Sequence, residues 1–259
     1  MYLYKNAVRV LPFAMVDDCL GISRCGDESV ALNCVINTQI EMKKLRFHTP
    51  DERGKSKCHK MHVGWDKSEC QVLKVHGTEM QQVTEDTYLG DVISCDGKNT
   101  KNIQSRISKG LGIITQIMNL LEMVNFGGHF FQIAMLLRDS MFINGILTNA
   151  ECWYNLTKSE VKELDSLDKL LLRKILQVPS STPGEAFHLE LGIIPVEVII
   201  KARRINFLHY PATRKEHQKL SAFFQTQWNN PCRGDWTEEV KTDLEELEIG
   251  INLEMMKTK

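Results

Sequence analysis

The pattern of apolar and polar positions changes near residue 97. Ahead of that point, apolar residues come in short runs, and residues 8–16 and 19–22 flank the adjacent carboxylates Asp17 and Asp18. Two apolar runs on either side of turn-tolerant residues predict a β-hairpin. One-sided apolar spacing then predicts a helix from about Glu28 to Lys44.

More short segments before residue 97 have the length and composition of strands, and Gly64, Gly77 and Gly97 mark turns among them. The predicted strands span residues 57–63, 71–75, 80–83 and 88–94. This first part of the chain is therefore expected to mix strands with one helix.

After residue 97, apolar residues recur at spacings of three and four, which predicts an amphipathic helix. Its apolar face comprises Ile103, Ile107, Leu111, Ile114, Met118 and Leu121. The opposite face, which is expected to meet solvent, carries the cations Lys101, Arg106 and Lys109.

The chain then predicts helices only, the first from Phe130 to Asn149. Residues 157–160 (TKSE) form a capping box at the start of another helix. Pro183 and Pro195 stand at first-turn positions before helices over residues 186–191 and 196–210. The inward face of the capped helix comprises Leu164, Leu167, Leu171 and Ile175.

These elements predict an α+β fold with a boundary near residue 97. Residues 1–97 form the strand-containing part and residues 98–213 form an all-α bundle. Residues 214–259 are polar and end in an acidic stretch, which predicts a loosely attached helix or disorder.

Composition excludes several classes of protein. The formal net charge of −1 gives no general affinity for nucleic acid, so any basic surface must be local. Eight scattered cysteines indicate reduced thiols and an intracellular protein of the nucleus or the cytoplasm. No apolar run approaches the length of about 20 residues that a membrane-spanning helix needs.

The adjacent carboxylates suit metal binding, because a divalent cation relieves their mutual repulsion. Magnesium takes oxygen ligands, commonly one or two carboxylates together with substrate phosphates. In polymerases, such ions activate the primer hydroxyl and stabilise the leaving pyrophosphate. The alternative is an ordinary turn, in which an Asp-Asp pair is common.

Three motifs in order connect this pair to a known family. The segment Phe13–Ile22 (FAMVDDCLGI) resembles the palm hairpin of the reverse transcriptases of non-LTR (LINE-type) retrotransposons, in which two aspartates stand between apolar strands. The segment Lys57–Gly64 (KCHKMHVG) resembles the Lys-Thr-x-x-Met segment of the next palm strand, and the tripeptide at residues 88–90 (YLG) resembles the primer grip.

The later helices add weaker likenesses to the thumb and the region beyond it, so that the resemblance spans about residues 3 to 210. The matching segments read RISKG at residues 106–110, LRDS at 137–140, ECW at 151–153, LLLR at 170–173 and EAFHLELGI at 185–193, followed by Arg203 and Arg204. Each motif alone is weak, whereas their order is specific.

The resemblance implies roles for particular residues. Asp17 would bind Mg²⁺ directly, with Asp18 assisting and Mn²⁺ as a substitute ion. Lys57 would be the general acid that protonates the leaving pyrophosphate, although Lys43, Lys44 and Lys55 lie nearby in sequence. The primer backbone would rest on Tyr88, Leu89 and Gly90. Lys101, Arg106 and Lys109 would contact phosphates of an RNA template paired with a DNA primer, unless they form an ordinary solvated helix face.

The same family places its fingers and a first metal-binding aspartate upstream of the palm hairpin, and an endonuclease further upstream. Residues 1–16 contain no acidic residue. A two-metal site without that carboxylate should bind metal poorly. We therefore expect a polymerase fragment that is inactive alone and that would use dNTPs only with a matching N-terminal half.

Two alternatives remain open. The chain could be a binding module that holds nucleic acid or a protein without chemistry, or an unselected reading frame left by a decaying element. No zinc is expected, because the spacing of Cys58, His62, Cys70 and His76 matches no common zinc finger. Trp153 is expected in the core, whereas Trp228 and Trp236 lie in the polar tail, where they could stack on bases.

Overall fold

The computed structural model describes residues 11–15, 18–23, 26–43, 58–64, 72–75, 77–123, 126–212 and 219–250. It is mostly helical with a few small sheets of strands, in agreement with the α+β class. The chain folds as two compact units, Met1–Lys98 and Asn99–Lys259.

The described part of the first unit contains short paired strands and a long helix. Antiparallel hairpins form between β1 and β2, between β4 and β5, and between β7 and β8, while β3 pairs with β6 in parallel. The elements are β1 (Leu11–Met15), β2 (Asp18–Ile22), α1 (Gly26–Lys43), β3 (His59–Lys60), β4 (Lys74–Val75), β5 (Thr78–Glu79), β6 (Gln81–Gln82), β7 (Glu85–Tyr88) and β8 (Asp91–Ser94).

These strands differ from the predicted ones in length and number. β3, β4 and β6 have two residues each, and the single strand predicted over residues 88–94 is wrong, because a turn at Leu89 and Gly90 divides that segment. Leu89 has φ 50° and Gly90 has φ 87°, as the tight two-residue turns of hairpins require. Tyr88 therefore ends one strand and pairs with Asp91 at the start of the next.

Helix α1 holds two hairpins of the first unit. A Cβ atom at Gly21 in β2 would lie 2.6 Å from Leu32 Cδ2, so the strand and the helix approach closely there. The Asn33 carboxamide donates to the Lys74 carbonyl at 2.9 Å and accepts from the Lys74 N–H at 3.0 Å. Asn37 donates to the same carbonyl at 2.6 Å. The Asn33 side chain thus satisfies both backbone polar groups of Lys74, while β4 pairs with β5.

The described part of the second unit is helical. Its elements are α2 (Thr100–Met123), α3 (Phe130–Leu137), a π-helical segment (Arg138–Ile143), α4 (Asn144–Ile146), α5 (Lys158–Leu176), α6 (Gly184–Leu191), α7 (Val196–Ala212), α8 (Lys219–Asn229) and α9 (Trp236–Glu246), with short 3-10 helices at Gly127–His129 and Ala150–Cys152. The helix predicted from Phe130 to Asn149 is present as α3, the π-helical segment and α4, and it ends at Ile146.

Helix α2 buries a face that is rotated from the predicted one. Its buried residues include Arg106 and Gly110, whereas Leu111 is exposed. The rotation follows from Gly110, where an added Cβ would lie 2.5 Å from Leu167 Cδ2 and 2.8 Å from Ile146 Cγ2. The lack of a side chain lets α2 approach the neighbouring helices at this position. The expectation that Arg106 faces solvent is therefore wrong.

The main core lies among α2, the α3–α4 region, α5 and α7. The predicted inward face of α5 is confirmed, and Trp153 is in the core as expected, with 2% of its surface exposed. The capping box is also confirmed, since Thr157 Oγ1 accepts from the Glu160 N–H and the Glu160 carboxylate accepts from the Thr157 N–H. The core residues include Ile103, Ile117, Phe142, Ile146, Leu147, Leu164, Leu171, Val196 and Ile200.

The prediction of a loosely attached or disordered tail is wrong for residues 219–250. Helices α8 and α9 pack on the end of α7 through a second cluster of buried residues. Arg204 of α7 forms ion pairs with Glu239 and Asp243 of α9, which explains how a polar, acidic helix can dock. The cluster consists of Leu208, Ala212, Phe224, Val240 and Leu244.

Two further expectations concern membrane spans and thiols. Among the described helices, none is both long enough and apolar enough to cross a membrane. Five cysteines of the described part of the chain, Cys34, Cys58, Cys95, Cys152 and Cys232, are not joined in disulfide bonds.

Candidate functional site

Asp18, the second residue of the Asp-Asp pair, lies on an antiparallel hairpin, as the sequence predicted. Asp18 is the first residue of β2, and it pairs with Met15, the last residue of β1. Asp17 lies outside the described residues, and so do the side-chain surroundings of Asp18. Strand order and register thus agree with the predicted hairpin, whose second strand begins at Asp18.

Lys57, the predicted general acid, lies just ahead of the described residues. The strand that follows it is tied to its surroundings in several ways. The Lys60 carbonyl accepts from the Val83 N–H at 3.0 Å, and the Gly64 N–H donates to the Cys95 carbonyl at 3.0 Å. The His59 imidazole Nδ1 lies 3.0 Å from Asp86 Oδ2. These contacts hold the segment after Lys57 against the β7–β8 hairpin.

The predicted primer-grip residues form the tip of that hairpin. Tyr88 is half-buried, whereas Leu89 and Gly90 are exposed. A positive φ is unfavourable for leucine, and such strain in a folded protein is often associated with function. The structure therefore places an exposed leucine in a strained conformation at the position where the primer backbone was expected.

Residues 100–121 of helix α2 expose polar side chains and contain no acidic residue of their own. Lys101 and Lys109 are exposed, as predicted. A helix face that combines cations with hydroxyl and amide groups offers donors to phosphate oxygens. Arg106, by contrast, has 3% of its surface exposed and cannot be part of this surface. The other exposed polar residues are Gln104, Ser105, Ser108, Thr115, Gln116 and Asn119.

Within the described ranges, no group of three or more His, Cys, Asp or Glu side chains is arranged to hold a metal ion. Of the four residues weighed as a zinc site, Cys70 and His76 lie outside those ranges. Burial raises the pKa of the Cys58 thiol, which disfavours the thiolate form that binds zinc.

Sequence reasoning missed two buried charge clusters in the helical unit. Arg138 pairs with Asp168, and Arg204 pairs with Glu239 and Asp243. Burial raises the pKa of Glu239 and Asp243, and the Arg204 guanidinium opposes this shift. A signal for the first cluster was present, because Asp168 interrupts the apolar face of α5 between Leu164 and Leu171. A carboxylate on a buried helix face requires a partner.

Comparisons of the chain with models of protein families, with curated proteins and with solved structures find no match.

Proposed function

We propose that this chain carries the aspartate hairpin, the primer-grip hairpin and the thumb helices of an RNA-directed DNA polymerase of the non-LTR retrotransposon type. The observation that carries the proposal is the β1–β2 hairpin, with Asp18 directly after Asp17 and opposite Met15. Helix α1, the strand after Lys57, the Tyr88–Gly90 turn and a helical unit then follow in the order that the resemblance requires.

Each part would act on a different element of the substrate. Asp17, assisted by Asp18, would supply the oxygen ligands that Mg²⁺ prefers, and the bound ion would activate the primer hydroxyl and stabilise the pyrophosphate. Lys57 would hold a proton for the leaving pyrophosphate. Tyr88, Leu89 and Gly90 would support the primer backbone. The exposure of Lys101 and Lys109 beside hydroxyl and amide groups of α2 supports an assignment of these two lysines to phosphates of the RNA–DNA duplex.

The 259-residue polypeptide alone is expected not to extend primers, because residues 1–16 contain no acidic residue that could be the further metal ligand of a two-metal site. The test is Mg²⁺- or Mn²⁺-dependent primer extension on a primed RNA template, with and without an added N-terminal half of a related polymerase. Extension that needs the added half and is lost in Asp17→Ala, but not in the control Asp27→Ala, supports the proposal.

Extension by the isolated chain that Asp17→Ala abolishes would keep the polymerase assignment, but it would mean that the site is already complete and that the expectation of a missing carboxylate is wrong. One result counts against the proposal itself. Extension that survives Asp17→Ala and Asp18→Ala removes the aspartate hairpin from catalysis altogether.

The second candidate function is nucleic-acid binding without chemistry, and the α2 surface favours it directly. Binding of an RNA–DNA duplex should weaken with salt, and each phosphate contact removed should lower the slope of log K against log salt by about 1. Lys101→Gln with Lys109→Gln should therefore lower the slope by about 2. The matched control is Lys162→Gln with Lys174→Gln, two exposed lysines of α5. Equal loss in both pairs would indicate non-specific charge attraction.

A further inference from the structure

Several polar contacts of α9 converge on one loop, Asn149–Asn155, which connects α4 to α5 and which we call the 149–155 loop. Trp236 Nε1 donates to the Glu151 carbonyl at 2.7 Å. The Glu239 carboxylate accepts from the Asn155 N–H. Arg204 bridges the two elements, because its guanidinium donates to Glu239 and its Nη1 lies 3.4 Å from the Trp153 carbonyl oxygen.

One backbone group of the 149–155 loop depends on α9. Asn149 has φ 61° and Asn155 has φ 53°, so both ends of the loop are in the left-handed region, which asparagine adopts more often than most other non-glycine residues. Backbone hydrogen bonds within the loop satisfy the N–H groups of Cys152 and Trp153. The Asn155 N–H instead relies on a carboxylate that comes 84 residues later.

The loop in turn holds the start of α2. The Asn99 side-chain amide, immediately ahead of α2, donates to the Tyr154 carbonyl. The Asn99 carbonyl accepts from the Ile103 N–H at 2.9 Å in the first turn of the helix. An unbroken series of contacts therefore runs from Glu239 through Asn155 and Tyr154 to Asn99.

We propose that α9 is a clasp that fixes the 149–155 loop and, through it, the amino-terminal end of α2, with Glu239 as the positioning residue. Glu239 is suited to this role because one carboxylate serves both the Asn155 N–H and the buried Arg204 guanidinium. Helix α9 is also joined to α7 by the ion pairs Arg204–Asp243 and Lys201–Glu246 and by the small apolar cluster. Loss of the Glu239 carboxylate is therefore expected to loosen the loop and the first turn of α2 while leaving the main core in place.

The clasp does not depend on the proposed function. Only its consequence does, namely that α9 controls how firmly Lys101 is presented to a duplex. A nucleic acid that binds α2 would therefore sense the state of a helix about 135 residues further along the chain.

Hydrogen exchange of the whole chain tests the clasp, read out on peptides that cover Asn99–Ile103 and the 149–155 loop. Glu239→Ala should speed amide exchange in both segments by about tenfold, the effect of losing one charge-assisted hydrogen bond. Glu239→Gln should restore much of the protection, because its amide oxygen still accepts from Asn155. The matched control is Glu245→Gln, an exposed carboxylate on the same helix, which should change neither segment.

Trp236→Phe is a second route to the same result, since it removes the hydrogen bond to Glu151 and keeps an aromatic ring. Faster exchange in α9 alone, with Asn99–Ile103 unchanged in both variants, would overturn the clasp. Faster exchange at Asn99–Ile103 with unchanged duplex affinity would support the clasp and remove α2 from the proposed nucleic-acid surface. The two proposals therefore fail by different results.

Discussion

Arg138 and Asp168 form a two-pronged ion pair inside the helical unit, with Nε and Nη2 donating to the two carboxylate oxygens at 2.8 and 2.6 Å. Their side chains are 5% and 1% exposed. Burial raises the pKa of Asp168, and the Arg138 guanidinium opposes the shift. Removal from water costs each ion several kcal/mol. The attraction between Arg138 and Asp168 can offset this cost only because the two hydrogen bonds are short and well aligned.

Asp168→Asn should lower the free energy of unfolding of the helical unit by about 3 kcal/mol, because it leaves the buried Arg138 guanidinium without its buried counter-ion. Asp139 accepts from the same guanidinium but is 64% exposed, so Asp139→Asn should cost no more than about 1 kcal/mol. Urea denaturation of the two variants makes the comparison. An equal loss of unfolding free energy in the two variants would mean that burial does not determine how much each ion pair contributes to stability.

Gly110→Ala should destabilise the helical unit by about 1 to 3 kcal/mol, because the added methyl meets Leu167 and the branched Ile146 side chain. Gly112 is exposed in the same helix with nothing within 4 Å of an added Cβ, so Gly112→Ala should stabilise by about 0.5 to 1 kcal/mol. Thermal denaturation should thus shift in opposite directions. A loss of stability in both variants would contradict the close contact at Gly110.

Leu89→Asn should stabilise the β7–β8 hairpin by about 1 kcal/mol, because asparagine tolerates the positive φ of this turn better than leucine does. Leu89→Ala keeps a Cβ and the strain, and it serves as the control. The measurement is thermal denaturation together with duplex binding. If leucine is present to contact a primer, both variants should weaken binding while only Leu89→Asn gains stability.

Asp235 gives the attachment of α9 a dependence on pH. Burial alone would raise its pKa, but hydrogen bonds from the Thr237 hydroxyl and from the N–H groups of Glu238 and Cys232 hold that pKa below its usual value. A lowered carboxyl pKa in the folded state stabilises the fold above the unfolded value of about 3.9. That contribution is lost as the pH falls through the folded pKa.

Asp235→Asn should match the natural protein at low pH and be less stable at pH 7, because asparagine also caps a helix but does not titrate. Asp235→Ala should lose about 1 kcal/mol through the loss of the cap. Urea denaturation at pH 2 and at pH 7 distinguishes the variants. A constant difference in unfolding free energy between the natural protein and Asp235→Asn at both pH values would contradict the titration argument.

Local signals in the sequence predicted the local structure of the helical unit. The capping box at Thr157 and the inward leucines of α5 are where the sequence placed them, because both depend on residues close together along one helix. The face of α2 was misjudged, since apolar spacing cannot reveal that Gly110 permits a close approach. Arg106 was consequently assigned to solvent although it is buried.

Long-range charge pairing explains the other errors. The acidic stretch around Asp243 has the composition of a solvated segment, and only the fold shows Arg204 from 39 residues earlier beside it. In the first unit, the backbone of Lys74 in β4 bonds to the Asn33 side chain, a long-range contact that the apolar pattern cannot reveal. The aspartate hairpin was predicted from a motif, and its register agrees. Its metal chemistry remains a proposal.

The π-helical segment at Arg138–Ile143 makes the α3–α4 region one residue longer than an ordinary helix of the same span. Removing one residue from an α-helix rotates everything beyond it by about 100° and turns a buried face toward solvent. At this segment the extra residue is already accommodated, so deletion of the exposed Ser140 can restore ordinary helical bonding with both flanking faces in phase. The chain can therefore lose one residue at this segment, although the segment lies beside the buried Phe142. In an ordinary helix next to a core, the same deletion would turn buried side chains toward solvent.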